Sequence, residues 1–194
     1  MRKYVLAALL SATVIPAFAF AAADNFFFKP YVGTDYQYTY MDYTNAADGL
    51  FSSSLHGVNG HVGARIHQYF GIEGGYLWTG EAGKDNISGS GLNTRIRLHG
   101  FNADLLGYLP VGTSKRFELI GTIGGSYLTA NVRASGAGFG TGSDSEWKPR
   151  FGAGAQYWLT DKLNLRGIVR YQDANFSGLA NEAITANIGI NYQF

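Results

Sequence analysis

The chain has 194 residues, a length that suits one domain, and no cysteine, which excludes a disulfide scaffold, thiol catalysis and a thiolate metal site. Its formal net charge of +1 gives no reason to expect nucleic acid as a partner, and charged residues at 15% fall well below the roughly 25% of an ordinary soluble domain. Glycine at 27 residues, aromatics at 15% and only 4 prolines point instead to an all-β chain.

The amino terminus reads as an export signal. Arg2 and Lys3 precede an almost wholly apolar run from Tyr4 to Phe20, broken at Pro16, and Ala21-Ala22-Ala23 forms an A-x-A cleavage site before Asp24. Residues 1–23 are expected to be a signal peptide and residues 24–194 the exported domain. A membrane-anchor helix is the competing reading, disfavoured because the run is short and ends in small residues.

Period-two alternation then recurs eight times. The first strand, about Pro30 to Met41, sets Val32, Tyr36, Tyr38 and Tyr40 against Gly33, Asp35, Gln37 and Thr39. In the second, about Leu55 to Ile66, Val58, Val62, Ala64 and Ile66 oppose Asn59, His61, Gly63 and Arg65. The third (Tyr69 to Thr79) places Phe70, Ile72, Tyr76 and Trp78 opposite Gly71, Glu73 and Gly75. The fourth (Leu92 to Leu109) ends with Phe101, Ala103, Leu105 and Leu109 opposing Asn102, Asp104 and Tyr108. The fifth, Phe117 to Thr129, sets Leu119, Ile123 and Tyr127 against Glu118, Thr122 and Ser126. The sixth (Glu146 to Leu159) and seventh (Lys162 to Gln172) repeat the pattern, with Arg150, Gln156, Arg166 and Arg170 on their polar faces. The closing segment, Ala186 to Phe194, alternates to its last residue.

The connections alternate too. "HQ", "PVGTSKR" and "TD" are short, whereas "DYTNAADGLFSSS", "GEAGKDNISGSG", "ANVRASGAGFGTGSDS" and "DANFSGLANE" are loops by composition. Up-and-down order with short turns at one end and long loops at the other is the pattern of an eight-stranded antiparallel transmembrane β-barrel.

Which face is buried follows from residue type. A soluble barrel would place the apolar face inside, but an eight-stranded interior has no room for so many Tyr, Phe and Trp. The polar face, moreover, is rich in Gly, Asn, Thr and Gln rather than Lys and Glu. Arg65, Glu73, Asp104, Glu118, Arg150, Arg166 and Arg170 stand isolated on it and are expected to form an inward ionic core, since an unpaired buried guanidinium is very costly. About ten residues at ~3.3 Å each, tilted by ~40°, span the roughly 25 Å lipid-facing band. Tyr36, Tyr38, Tyr40, Tyr76, Trp78, Tyr127, Tyr157, Tyr171, Tyr192 and Phe194 fall near strand ends, where interfacial girdles sit.

Other chemistry finds little support. Gly121-Thr122-Ile123-Gly124-Gly125 lies mid-strand with no helix after it, so it is no phosphate loop. His56, His61, His67 and His99 form no metal-binding pair, and His61 reads as a polar lumen residue. Asp35, Asp42, Ser54 and His56 are placed near the outer rim of the first two strands, where a barrel hydrolase would keep its triad, but no motif singles them out.

The segments "YFGIEGGYLWTG", "FNADLLGYLP", "GAGAQYWLTDKLNLRGIVRYQ" and the terminal "INYQF" resemble the outer-membrane β-barrel family typified by the OmpA transmembrane domain and the smaller OmpX/Ail-type proteins. The resemblance spans essentially the whole mature chain. It implies a Gram-negative outer membrane, periplasmic termini, four surface loops, and insertion by the barrel-assembly machinery, which reads a carboxy-terminal aromatic that Tyr192 and Phe194 match. The chain departs from full-length OmpA in ending at the barrel, so tethering to peptidoglycan does not carry over.

Arg95, Arg97 and His99 share the parity of lipid-facing Phe101. Either a bulge near Gly100 turns them inward, or they stand above the membrane and meet lipopolysaccharide phosphates. Together these readings predict a non-enzymatic envelope protein in contact with outer-membrane lipid and lipopolysaccharide, with an unidentified loop ligand and no cofactor or metal. An adhesin acting through the loops and a small-conductance pore are the alternatives.

Overall fold

A computed structural model describes residues 26–43, 52–85, 93–135, 141–173 and 180–194; the expected signal peptide lies outside them. The strands are β1 (Phe26–Tyr43), β2 (Ser54–His67), β3 (Phe70–Thr79), β4 (Ala82–Lys84), β5 (Asn93–Val111), β6 (Phe117–Ser135), β7 (Thr141–Trp158), β8 (Leu163–Asp173) and β9 (Ala180–Gln193). Each pairs antiparallel with its neighbours, β3 with β5 and β1 with β9, so eight strands close into a ring. The three-residue β4 continues alongside β5 above β3. Within the ring closure leaves no edge; beyond it, Thr141–Pro149 of β7 pair with β6 alone.

Register fixes the shape. The outer-wall row Pro30, Ala64, Ile72, Leu105, Ile123, Phe151, Tyr171, Ile184 returns to β1 at Tyr40, ten positions from where it began. Such a stagger in eight strands tilts them by about 40° and leaves an interior only wide enough for side chains. The carboxy terminus seals the ring: the Gln193 amide donates to the Lys162 carbonyl (2.7 Å) and the Phe194 amide to the Pro30 carbonyl (3.0 Å).

The expected inside-out order holds through the lower barrel. Val58, Val62, Ile72, Phe101, Leu105, Ile123, Val169 and Ile188 are all exposed on the outer wall, while Asp35, Glu73, Asp104, Arg166 and Arg170 are buried in the lumen. Several boundaries move. The turn after β2 is Gln68–Tyr69 rather than His67–Gln68; β6, β7 and β9 run on into segments whose composition reads as loop, and β4 lies within another such segment. At 18 or 19 residues β5, β6 and β7 extend well past the lipid-facing band.

Above the band both faces reverse. On the outer wall, Tyr76, Phe101, Tyr127 and Trp147 stand side by side across β3, β5, β6 and β7, and Tyr76 meets Phe101 edge-on at 4.9 Å. Beyond that row the outer residues become His99, Arg97 and Arg95 on β5, Thr129, Asn131 and Arg133 on β6, and Ser145 on β7. Inside, at the same levels, Met41, Tyr43, Leu55, Leu77, Ile96, Leu98, Leu128, Ala130 and Ala183 form a buried apolar cluster. Thr79 stitches it, accepting from the Leu98 amide (2.8 Å) and donating to the Leu98 carbonyl (3.0 Å). No bulge occurs at Gly100. The β5–β6 register is continuous from Asn93 to Val111, so that alternative is overturned: Arg95, Arg97 and His99 stay on the outer face.

A closed sheet of this kind resists detergent until heated. Unboiled protein should migrate ahead of boiled protein on an SDS gel; comigration of the two samples would contradict the ring.

Candidate functional site in the barrel lumen

The inward row Tyr31, Gly63, Glu73, Asp104, Gly124, Arg150 and Gln172 sets two carboxylates, Glu73 and Asp104, directly opposite each other on β3 and β5. Like charges so placed repel, and guanidinium groups from β7 and β8 offset them. Arg150 forks onto Asp104, with Nε and Nη2 donating at 2.8 and 2.7 Å. Arg170 leans between the pair, 3.2 Å from Asp104 and 3.8 Å from Glu73.

Arg166 is the centre of the cluster. Its Nε and Nη2 donate to the two oxygens of Asp35 at 3.1 and 2.7 Å, and Nη1 and Nη2 donate to Glu73 at 2.5 and 3.1 Å. Two carboxylates on different strands thus share one planar fork, which a lysine ammonium could not supply. Arg166 Nη2 also lies 3.2 Å from His61 Nδ1, and the other ring nitrogen, Nε2, is hydrogen-bonded with Asn191 Oδ1 at 2.6 Å. His61 is thus a buried polar member of the lumen network. Tyr31 completes Glu73, donating at 3.0 Å.

Nearer the short turns, Glu118 collects four donors. Arg65 Nη1 and Nη2 reach it at 3.0 and 2.7 Å, Gln156 at 2.5 Å and Trp158 Nε1 at 3.0 Å. The Arg65 guanidinium also lies 4.3 Å over the Tyr108 ring and donates to the Gln68 carbonyl (2.6 Å). Tyr108, Leu106, Ile120 and Ile168 pack as a second buried apolar cluster.

The structure places Arg65, Glu73, Asp104, Glu118, Arg150, Arg166 and Arg170 in these lumen ion pairs together with Asp35. Sequence position puts Asp35 at the rim with Asp42, Ser54 and His56, yet it is fully buried mid-lumen between Asn59 and Gly189. A charge count could have found it: four arginines facing only Glu73, Asp104 and Glu118 leave one positive charge, which Asp35 neutralises. Room for these groups comes from small neighbours. A side chain at Gly189 would run into the Asp35 carboxylate, and one at Gly124 into Asp104. Ser54 and His56 do lie toward the rim, but on the outer wall, where each hydrogen-bonds a tyrosine, Tyr38 and Tyr36 respectively. Among the described residues no cluster of acidic, histidine or cysteine side chains is arranged to hold a metal ion.

The outer cations occupy a separate site. Arg95 pairs with Asp85 (2.7 Å), while Arg97 and Arg133 share Glu81 at 2.9 and 3.6 Å. These pairs are well exposed and contribute little to stability.

Removing the central fork tests the lumen cluster. Arg166→Met should cost about 3–5 kcal/mol, because Asp35 and Glu73 are then left buried and uncompensated. Urea unfolding in detergent micelles measures it, and a loss below about 1 kcal/mol would show that Arg166 does not hold the cluster together.

The comparisons agree with this geometry. The chain matches the family model described as outer membrane protein beta-barrel domain over residues 5–194. No curated protein matches it in sequence. Its fold is similar to that of Ail, the attachment invasion locus protein of Yersinia pestis, at 15% identity and a TM-score of 0.55, covering 86% of this chain and 97% of that one. Neisserial surface protein A is similar at 14% identity and a TM-score of 0.59, with 86% and 97% covered. A major outer membrane protein of Thermus thermophilus is similar at 12% identity and a TM-score of 0.60, with 86% and 99% covered. At these identities the likeness establishes the fold, an eight-stranded outer-membrane barrel. With the family model matched over nearly its whole length, the chain belongs to the outer membrane protein β-barrel family.

Proposed function

We propose that this protein is a sealed, non-enzymatic surface barrel of a Gram-negative outer membrane, which presents four loops outside and is held in its leaflet by lipopolysaccharide. The observation that carries the reading is the blocked lumen. An apolar cluster around Leu55, Leu77, Leu98 and Leu128 lies over a layer in which Arg65, Arg150, Arg166 and Arg170 face Asp35, Glu73, Asp104 and Glu118. An ion crossing it must dehydrate twice, once against hydrocarbon and once against groups already paired. Work done by such a barrel is done on its surface.

The outer arginines support the contact with lipopolysaccharide. Arg95, Arg97 and Arg133 stand outside the sheet on the loop side of the aromatic row, where phosphates of an outer-leaflet lipid would lie, and guanidinium groups match phosphate in bidentate geometry. A host-interaction role is the second reading. It draws on the long extensions of β5, β6 and β7 and on the likeness to Ail, which has been solved with the heparin analogue sucrose octasulfate. Tyr192 and Phe194, both on the lipid-facing wall and stacked edge-on at 5.3 Å, are assigned the role of assembly signal with termini in the periplasm.

Planar-bilayer recording tests the sealed lumen. The wild-type protein should give no unitary current steps, and stable, reproducible steps would overturn the reading. Deleting Phe194 should lower the assembled, heat-modifiable fraction in cells several-fold while leaving detergent refolding intact; unchanged assembly would remove the signal role from that residue.

A further inference from the structure

On the outer wall the row Gly74, Ala103, Gly125 crosses β3, β5 and β6 in direct register. Large side chains stand on both sides of it: Ile72, Leu105 and Ile123 toward the short turns, and Tyr76, Phe101 and Tyr127 toward the loops. The result is a trough of about 780 Å³, walled by Phe28 at one end and Trp147 at the other. Trp147 lies across Gly125 so closely that any side chain there would collide with its ring. This wall faces hydrocarbon, where an unfilled trough forfeits dispersion contacts along its whole lining.

We propose that the trough seats a saturated acyl chain of lipopolysaccharide whose phosphates meet Arg95, Arg97 and Arg133. The inference rests on the lipopolysaccharide reading above and adds the place where the lipid's hydrocarbon goes. Position and charge both point to it. Arg97 lies six residues up β5 from Ala103. At ~3.3 Å per residue and ~40° tilt the two are about 15 Å apart along the membrane normal, which is the depth of one leaflet of a ~30 Å hydrocarbon core. The three guanidinium groups share two carboxylates, Glu81 and Asp85, so a net positive charge remains for a phosphate. The ion pairs themselves are exposed and weak enough to open. A second copy of the barrel would present a convex wall to a concave one and would bring its own arginines against these. A methylene chain lies along a trough one residue wide and carries the complementary charge at its head.

Lipid A binding by the refolded mature chain in detergent micelles tests the inference, with variants first checked for heat-modifiable migration. Gly74→Leu with Ala103→Phe fills the trough; a Cβ at Gly74 meets only the Asn102 carbonyl, at 3.8 Å, an ordinary contact that spares folding. Hexa-acylated lipid A should then bind about tenfold more weakly, while deacylated, still phosphorylated lipid A headgroup should bind as it does to wild type. Arg95→Glu with Arg97→Glu should weaken both probes. Unchanged lipid A affinity in the filled variant would overturn the trough while leaving the phosphate contact standing. Unchanged headgroup binding in the charge-reversed variant would overturn the phosphate contact and with it the choice of this lipid. Equal competition by phosphatidylglycerol would make the trough a general lipid seat, and conversion of a wild-type dimer to monomer on filling it would assign the trough to a second copy; either result overturns the proposal.

Discussion

Hydrocarbon offers no partner to a backbone amide or carbonyl, and each group left unpaired there costs several kcal/mol. The sheet must therefore close, and with eight strands and a ten-residue stagger closure leaves an interior that only side chains can fill. From this follow both the composition and the chemistry of the lumen. Groups facing inward have to fit, so glycine recurs beside the bulky ions, as Gly189 does against Asp35. They also have to neutralise one another, since they are buried away from lipid and from most water. Arginine suits the task better than lysine because one planar fork can satisfy carboxylates on two strands, as Arg166 does for Asp35 and Glu73.

The same closed sheet passes through two solvents. Within the membrane the outer wall is apolar and the lumen polar; above the Tyr76–Phe101–Tyr127–Trp147 row, the outer wall turns to Arg95, Arg97 and Arg133 while the lumen turns to Leu77, Ile96, Leu98 and Leu128. The upper part is built as a soluble barrel is built, with its hydrophobic side inward, and the hydrophobic effect stabilises it directly. The lower part depends on lipid packing and on its ionic core. Nothing interrupts the backbone between the two, and the β5–β6 register runs unbroken through the change. Side-chain pattern alone switches the barrel from one regime to the other.

That switch marks what could and could not be read in advance. Eight strands, their faces and their order were legible because alternation is strict and the polar face lacks the lysines and glutamates of a wet surface. The segment that becomes β5 carries the counter-example. Arg95 and Arg97 take the parity of Phe101, and Ile96 and Leu98 the parity of Asn102, which a single-solvent barrel can explain only with a bulge. Reading those isoleucine and leucine positions together with the arginines would have shown inversion with height instead. Asp35 escaped for a related reason. Tilt and stagger put mid-strand residues of β1 at lumen depth, and depth cannot be read from sequence position without the register. Loop-like composition likewise misled, because Gly, Ser and Asn in "ANVRASGAGFGTGSDS" belong in part to β6 and β7 standing above the membrane.

Within the ionic core the members are not held equally. Glu118, Glu73 and Asp104 are each bound by short, well-aligned donors, whereas Arg170 sits at ion-pair distance from two carboxylates and its Nε and Nη2 make no hydrogen bond among the described residues. Thr122 and Ser126, also inward on β6, likewise leave their hydroxyls without a partner there. Arg170 and Thr122 share a register row on the short-turn side of the Arg150–Asp104 fork, and Ser126 lies on its loop side. At its Nε and Nη2 the Arg170 guanidinium is held by charge, which acts over several ångströms where a hydrogen bond does not. Arg170 is thus the least tightly bound member of the core, set between the Arg150–Asp104 and Arg166–Asp35 forks.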